Sequence, residues 1–366
     1  MTSLIDIITE LENLAPSSYQ EPYDNAGLIV GSADTNVTGV LLTLDVTEEV
    51  VEEAIQRQCN LIVAHHPIIF KGLKKLNGSN YVERTVIKAI KNDISIYTAH
   101  TNLDHVQQGV NWQIAEILGL KDVKILAPKS QTLTKLEFFA PTENTQTILD
   151  ALFKAGAGKI GEYENCSFRV HGTGTFLPGE NAAPAIGMQG KLEEVAEHSA
   201  AVMFPSFMQA KILSTLKEVH PYEEVAYYLT SLENLNQEVG AGAVGTLPKA
   251  MPLHIFLAYL KEQMNLPVIK FTPTNSQMVQ KVAVCGGAGS FLLKDAIRAK
   301  ADVFITADYK YHEFFDAEKK IMICDIGHYE SEVYTKNLLY NYLSGKFPNF
   351  ALCLSEVNTN PVRYFV

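Results

Sequence analysis

NLIVAHHPIIF, residues 60–70, opens as an uninterrupted apolar run and turns polar at His65 and His66. Bounded as it is, the run reads as a buried strand whose two histidines stand at its carboxyl end. Just upstream, GVLLTLDVT at 39–47 reads as another buried strand, and EEVVEEAIQRQC after it as an amphipathic helix. Downstream, ERTVIKAIKND forms a second helix, and ISIYTAHTNLD at 94–104 a third strand running into a polar loop. Strand, helix, strand, helix, strand implies a parallel sheet. Ligands of such sheets gather beyond the carboxyl ends of the strands, which is where the histidines lie.

The same grammar returns near the C-terminus: KVAVCGGAGS at 281–290, helix FLLKDAIRAK, strand ADVFITADY at 301–309, helix HEFFDAEKK and strand IMICDIGHYE at 321–330. Laid side by side, AHH falls opposite TADY and AHTNLD opposite DIGHYES. The expected fold is therefore α/β, a core of two similar halves with the site between them. The stretch 130–247 breaks the pattern. TKLEFFAP, NTQTILDALFKAGAG, SFRVHGTGTFLP and the segment from AAVMFP to YYLTSLE give strand–helix–strand–strand–helix–strand, the order of a ferredoxin-like α+β unit. Residues 1–129 and 248–366 then form the core and 130–247 an inserted domain, with a linker around NLNQEVGAGAVGTLPKA.

A chain of 366 residues with 47% hydrophobic and 19% charged residues is globular and long enough for two domains. Its net charge of −11 opposes general binding to nucleic acid or anionic lipid. Five scattered cysteines read as reduced thiols. The N-terminal helix carries Asp6, Glu10 and Glu12 instead of a basic leader, and no run nears the ~20 apolar residues of a membrane span, so a cytoplasmic location is expected.

His65, His66, Asp104, His328 and Glu332 all fall at expected carboxyl ends of strands. Adjacent strand residues point to opposite sides, so His65 and His66 are suited to two neighbouring ions more than to one. His328 and Glu332, four apart, share one face if the chain is helical there. Three imidazoles and two carboxylates exceed a closed four-ligand site, and a carboxylate can bridge, so a pair of divalent ions with open positions is favoured. Zinc, manganese, iron, cobalt and nickel all suit the set. His312 in TADYKYHE is a candidate to move protons; Asp45, Thr47 and His100 are candidates to support the ligands. CGGAGS at 285–290 is a weak candidate for receiving a phosphate on free amides.

Taken in order, YDNAGLIVG at 23–31, AHHPIIF at 64–70, AHTNLD at 99–104, TADYKYHE at 306–313 and DIGHYESE at 325–332 resemble the Nif-three-like metalloproteins, also labelled GTP cyclohydrolase 1 type 2 homologues. The resemblance covers essentially the whole chain. It implies a three-layer α/β core, a dinuclear site on His65, His66, Asp104, His328 and Glu332, and a homohexamer with its sites facing an internal cavity. GAGKIGEY, CSFRVHGTGTF and VHPYEEVAYY resemble the PII-like insert of longer bacterial members. Tyr23 stands where many relatives carry Trp, and Ala307 where a Gly is common. Two functions follow as expectations: a metal-dependent hydrolase acting on a nucleotide such as GTP, or a non-enzymatic oligomer that binds metal or a small effector and reports it through the insert or a partner.

Overall fold

The computed structural model describes residues 2–365. The chain forms two units, Met1–Pro128 with Glu238–Val366, and Lys129–Gln237. The fold is α/β, with mixed sheets and interspersed helices.

The first unit holds two sheets. In one, Val40–Thr43, Leu61–Ala64 and Ser95–Thr98 run parallel, joined by the helices Glu48–Gln56 and Tyr81–Lys91. Leu352–Leu354 extends it in parallel on one side, and Gly27–Val30 closes the other side antiparallel. In the second sheet Met278–Ala288, Val303–Ala307 and Met322–Asp325 are parallel, with Lys270–Phe271 antiparallel at one edge.

Alternation along these strands sends side chains into different cores. Leu61 and Val63 join a large apolar cluster with Val282, Val284, Val303, Ile305, Met322 and the helix residues Leu4, Ile114 and Leu339. Ile62 and Ala64 point the other way, onto the helices Glu48–Gln56 and Tyr81–Lys91. Phe304 and Ile323 do the same on the outer face of the second sheet. Burial on both faces explains why these strands read as continuous apolar runs.

Two expectations differ from what is seen. HEFFDAEKK forms only the 3-10 turn Tyr311–Ala317, ended by Glu318 at φ +45 and Lys319 at φ +57. The stretch expected to be a linker lies, from Asn236 on, within the strand Asn236–Pro252, which pairs antiparallel with Met278–Ala288. The division between the units consequently falls at 237/238 and not at 247/248. The glycines there serve close approach instead of flexibility: a Cβ on Gly240 would lie 2.2 Å from the Ala127 carbonyl oxygen, and one on Gly245 3.0 Å from Leu120 Cβ.

In the second unit the order is strand Leu133–Pro141, helix Thr145–Ala155, strands Phe168–Phe176 and Glu193–Pro205, helix Gln209–Val219 and strand Tyr227–Leu232. The strands form one antiparallel sheet with Leu133–Pro141 and Glu193–Pro205 at its centre. Leu136, Phe138, Ala140, Ala200 and Val202 bury one face with Ile148, Leu152, Ile212 and Leu216 of the helices.

Candidate metal centre

The strand Leu61–Ala64 stops one residue before the histidines. The His65 and His66 amides both donate to the Leu44 carbonyl, at 3.1 and 2.9 Å, and the chain turns out of the sheet. Strand alternation therefore ends at Ala64, and the two rings converge with centroids 4.9 Å apart. Asp104 closes the short helix Thr101–Asp104 beyond the neighbouring strand. From the other sheet, His328 and Glu332 are the first and last residues of a five-residue helix, and Glu332 is almost fully buried.

These five side chains meet. His65 Nε2 lies 3.6 Å from Asp104 Oδ1 and 3.9 Å from Glu332 Oε1. His66 Nε2 and His328 Nε2 lie 2.9 and 3.0 Å from the other oxygen, Glu332 Oε2. Glu332 thus belongs to two groups with metal-holding spacing, one with His65 and Asp104, the other with His66 and His328. A third such group joins His65, His66 and His100.

Each imidazole is fixed through its far nitrogen. His65 Nδ1–H donates to the Ala99 carbonyl at 2.8 Å, His66 Nδ1–H to Asp45 at 2.7 Å and His328 Nδ1–H to Asp308 at 2.7 Å. That arrangement fixes the ring and raises the basicity of Nε2, as partners of metal-binding histidines do. Asp308 takes the left-handed backbone at φ +57 in the turn after its strand. His100 is held likewise, by Asp24 at 2.7 Å, and Asp24 also receives the Thr101 amide and hydroxyl.

The electrostatics are those of a cluster built for positive charge. Burial opposes protonation of His66, but its bonds to Asp45 and Glu332 outweigh it and hold the imidazole up at about 10. For His328 the same contest, with Glu332 as the main partner, gives about 9. Burial and the repulsion of Glu332 push Asp104 up to about 7. Burial also works against the Glu332 carboxylate, yet His328 and His66, both within hydrogen-bond distance, keep it ionised well below its ordinary range. Even so, His65 Nε2 and Asp104 Oδ1 are buried without a hydrogen-bond partner among the described residues. Two orphaned ligand-type atoms facing each other are what a cation would satisfy.

The cluster opens into a cavity of about 810 Å³ whose lining includes Tyr23, Phe70, His100, Cys285 and Phe291 but, among the described residues, no lysine or arginine. Burial, then Asp104 and Glu332, push the Cys285 thiol upward, so it stays protonated. Gly287, at φ +62, brings backbone against the cluster: a Cβ there would lie 2.4 Å from Glu332 Oε1. The amides of Gly286, Gly287 and Gly289 are bound to Asn111, Ser331 and Thr306, each at 2.9 Å. CGGAGS therefore has those amides occupied, and its glycines serve close packing rather than anion binding.

A profile of the DUF34/NIF3 family (NGG1p interacting factor 3) matches residues 2–361. The chain belongs to this family. It is 37% identical to a Bacillus subtilis protein named GTP cyclohydrolase 1 type 2 homolog, over 98% of this chain and 97% of that one. A Halalkalibacterium halodurans protein of the same name is 38% identical, over 98% of each chain. Among solved structures, a Bacillus cereus protein related to NIF3 superposes with a TM-score of 0.87 at 36% identity, covering 100% of this chain and 99% of the other. A Staphylococcus aureus protein superposes at 0.78 with 31% identity, again covering 100% and 99%. The clustered histidines and carboxylates are those of a metal-binding member of the DUF34/NIF3 family, compatible with one or more ions.

The remaining candidates separate. Asp45 and His100 sit against the cluster, while Thr47 lines the cavity and caps the helix Glu48–Gln56. His312 is exposed in its 3-10 turn, edge-on to Tyr311 at 5.2 Å, and does not line the cavity. Residue-by-residue reading assigned no role to Asp24 or Thr359. Asp24 lay inside the quoted YDNAGLIVG, which was a signal; Thr359, whose hydroxyl donates to Asp45 at 2.5 Å across 314 residues, offered none.

All five cysteines are free thiols. Among the described residues no helix is long and apolar enough to cross a membrane.

Proposed function

We propose that the chain binds two divalent ions, one held by His65, Asp104 and Glu332, the other by His66, His328 and Glu332, and acts as a metal-dependent hydrolase on a nucleotide-like substrate. The observation that carries this reading is the pair of orphaned atoms, His65 Nε2 and Asp104 Oδ1, beside an open cavity of about 810 Å³. A structural site would be closed; this one has room for a substrate. Bound ions would supply Lewis acidity and bring the pKa of a coordinated water toward neutrality.

The chain's own groups have distinct parts. Glu332 offers one oxygen to each set of ligands, and Asp45 and Asp308 orient His66 and His328. His100, backed by Asp24 and lining the cavity, is better placed than His312 to move a proton. With no lysine or arginine in the lining, phosphates would meet the ions themselves, while Tyr23, Phe70 and Phe291, all exposed, offer faces for a base. GTP is the first substrate to try because relatives are named for that chemistry.

Within the same proposal, the core is a three-layer arrangement of two similar halves, and the strand order of Lys129–Gln237 supports a ferredoxin-like, PII-like insert. Family resemblance supports a cytoplasmic homohexamer. The second reading, a non-enzymatic regulator working through the insert, is favoured by a separate cavity in that unit.

Elemental analysis of the parent chain, His66→Ala and Glu332→Ala, followed by product analysis with GTP after reconstitution, tests the proposal. About two equivalents per parent chain, lost in the variants, with metal-dependent product, is the expected result. Metal without product across a broad substrate screen would leave the regulator reading, and no metal after reconstitution would overturn the metal site and with it the hydrolase.

A further inference from the structure

We propose that the unit Lys129–Gln237 carries a second binding site, for a small organic cation with a flat apolar body, such as an amidinium or an aromatic amine. The helices cover one face of its sheet, and over the other lies a cavity of about 610 Å³. That volume suits a small molecule. Its floor includes Val170, Gly172 and Gly174 of one strand, Glu197 and Ser199 of the next and Phe139 beyond. The connection after Phe176 supplies the cover, pinned where the Ala183 amide donates to Glu223 at 2.9 Å and the Gly190 amide to the Pro178 carbonyl at 2.8 Å.

The floor holds a carboxylate that is undersupplied. Glu197 is only 7% exposed, and its one side-chain hydrogen bond among the described residues comes from the Tyr222 hydroxyl at 2.8 Å. No lysine, arginine or histidine forms an ion pair with it among the described residues, in contrast to neighbouring Glu137, which has Lys135 at 3.2 Å and the Ser199 hydroxyl at 2.7 Å. A carboxylate can accept several donors, and here only Oε1 has one, which leaves Oε2 open to the cavity. Space is made for it: a Cβ on Gly174 would fall 2.0 Å from Glu197 Oε2.

Charge and shape together select the occupant. The lining has Glu197, Glu223 and Glu224 and no lysine or arginine; its one imidazole, His171, turns edge-on to His198 with ring centroids 5.7 Å apart. Anions such as nucleotides are repelled. Phe139 with Tyr228, and Phe176 with Tyr222, form aromatic pairs at 5.6 and 5.9 Å around the cavity. Ring faces beside a carboxylate attract a delocalised cation and offer little to a neutral polar molecule.

The test uses the full chain, with and without EDTA treatment, and three probes of one shape: benzamidine, benzamide and benzoate, titrated by calorimetry. Benzamidine is expected to bind equally in metal-loaded and EDTA-treated protein, benzamide at least tenfold more weakly and benzoate not at all. Glu197→Gln, which keeps the shape and the acceptor for Tyr222, should weaken benzamidine at least tenfold. Gly172→Val is a second variant that keeps the carboxylate: a Cβ there meets nothing within 4 Å, and the side chain beyond it stands across from Glu197 and takes up space on the floor. It should fold as the parent does and lose benzamidine binding. Absence of benzamidine binding, equal binding of benzoate, or full affinity in Gly172→Val would each overturn the proposal.

Discussion

Gly287→Ala separates a metal centre from a merely well-packed cluster. Gly287 has φ +62, and a Cβ added to it would lie 2.4 Å from Glu332 Oε1 and 3.2 Å from His328 Cε1. Ordinary contact needs roughly 3.5 Å, so the carboxylate must retreat by about 1 Å. Metal ligands have to be held to about 0.5 Å, and Glu332 is shared by both ligand groups. Metal affinity is thus expected to fall at least ten- to hundredfold, the scale of errors in ligand support. The left-handed backbone adds a separate cost of about 1–2 kcal/mol. In a unit of this size that is a melting-point loss of about 2–8 °C in the metal-free protein. Gly161→Ala is the control, since Gly161 has φ +56 with nothing within 4 Å of the new Cβ. It should show backbone strain and normal metal binding. Chelator competition reads the affinity and calorimetry the melting point. Parent affinity in Gly287→Ala would refute the idea that Glu332 is a ligand held in place by this glycine.

Three further outcomes are expected. In the Lys129–Gln237 unit, His220 Nε2–H donates to the Phe139 carbonyl at 3.0 Å and Nδ1 accepts the Tyr222 amide at 3.1 Å, so the ring is used neutral and burial lowers its pKa from 6.5. As pH falls below about 6.5 the unfolded chain takes up the proton first, and stability drops until the folded-state pKa is passed. Urea midpoints of this unit should be lower at pH 5 than at pH 7.5, with the difference reduced in His220→Gln. Tyr222→Phe should cost about 1–3 kcal/mol in the same assay by leaving Glu197 without its donor; an unchanged midpoint would show that water replaces the hydroxyl freely. Gly240→Val should destabilise the other unit by about 1–3 kcal/mol or more, because the new Cβ meets the Ala127 carbonyl at 2.2 Å. A silent Gly240→Val would mean that this stretch is a linker after all.

The parts of the fold legible in the sequence are those where burial on two faces leaves an unbroken apolar run: Leu61–Ala64, Val303–Ala307 and Met322–Asp325. Asn236–Pro252 escaped because its core-facing Val239, Ala243 and Leu247 are spaced out among glycines and small residues, and such a stretch at close approach looks flexible. The ligand-type residues were legible because polar groups at the ends of apolar strands need a reason. Their convergence was expected from their shared place at the carboxyl ends of strands, but the side argument that alternation sends His65 and His66 to opposite sides does not apply, because the strand has already ended, with both amides on Leu44. Supporting contacts were harder to see. Asp24 reaches His100 across 76 residues and Thr359 reaches Asp45 across 314, and pairings of that span leave no periodic trace.

The span of the cluster also bears on what a bound cation would do for this chain. His66 and Glu332 are 266 residues apart, so an ion joining them would close a long loop. The entropy of closing such a loop rises only slowly with its length, and here the work is already done by the apolar cluster that takes side chains from both sheets. Leu61, Val63, Val282, Ile305 and Met322 pack together and hold the two sheets so that His66 and Glu332 lie at ligand distance. This is unlike a small zinc domain, whose folding energy is its metal-binding energy. What the frame leaves unresolved is local: His65 Nε2 and Asp104 Oδ1 buried without partners, and an Asp104 carboxyl pushed up to about 7 by burial and by Glu332. If the proposed function holds, that local cost beside an open cavity is what a bound cation would relieve at the place where it is needed for chemistry or sensing.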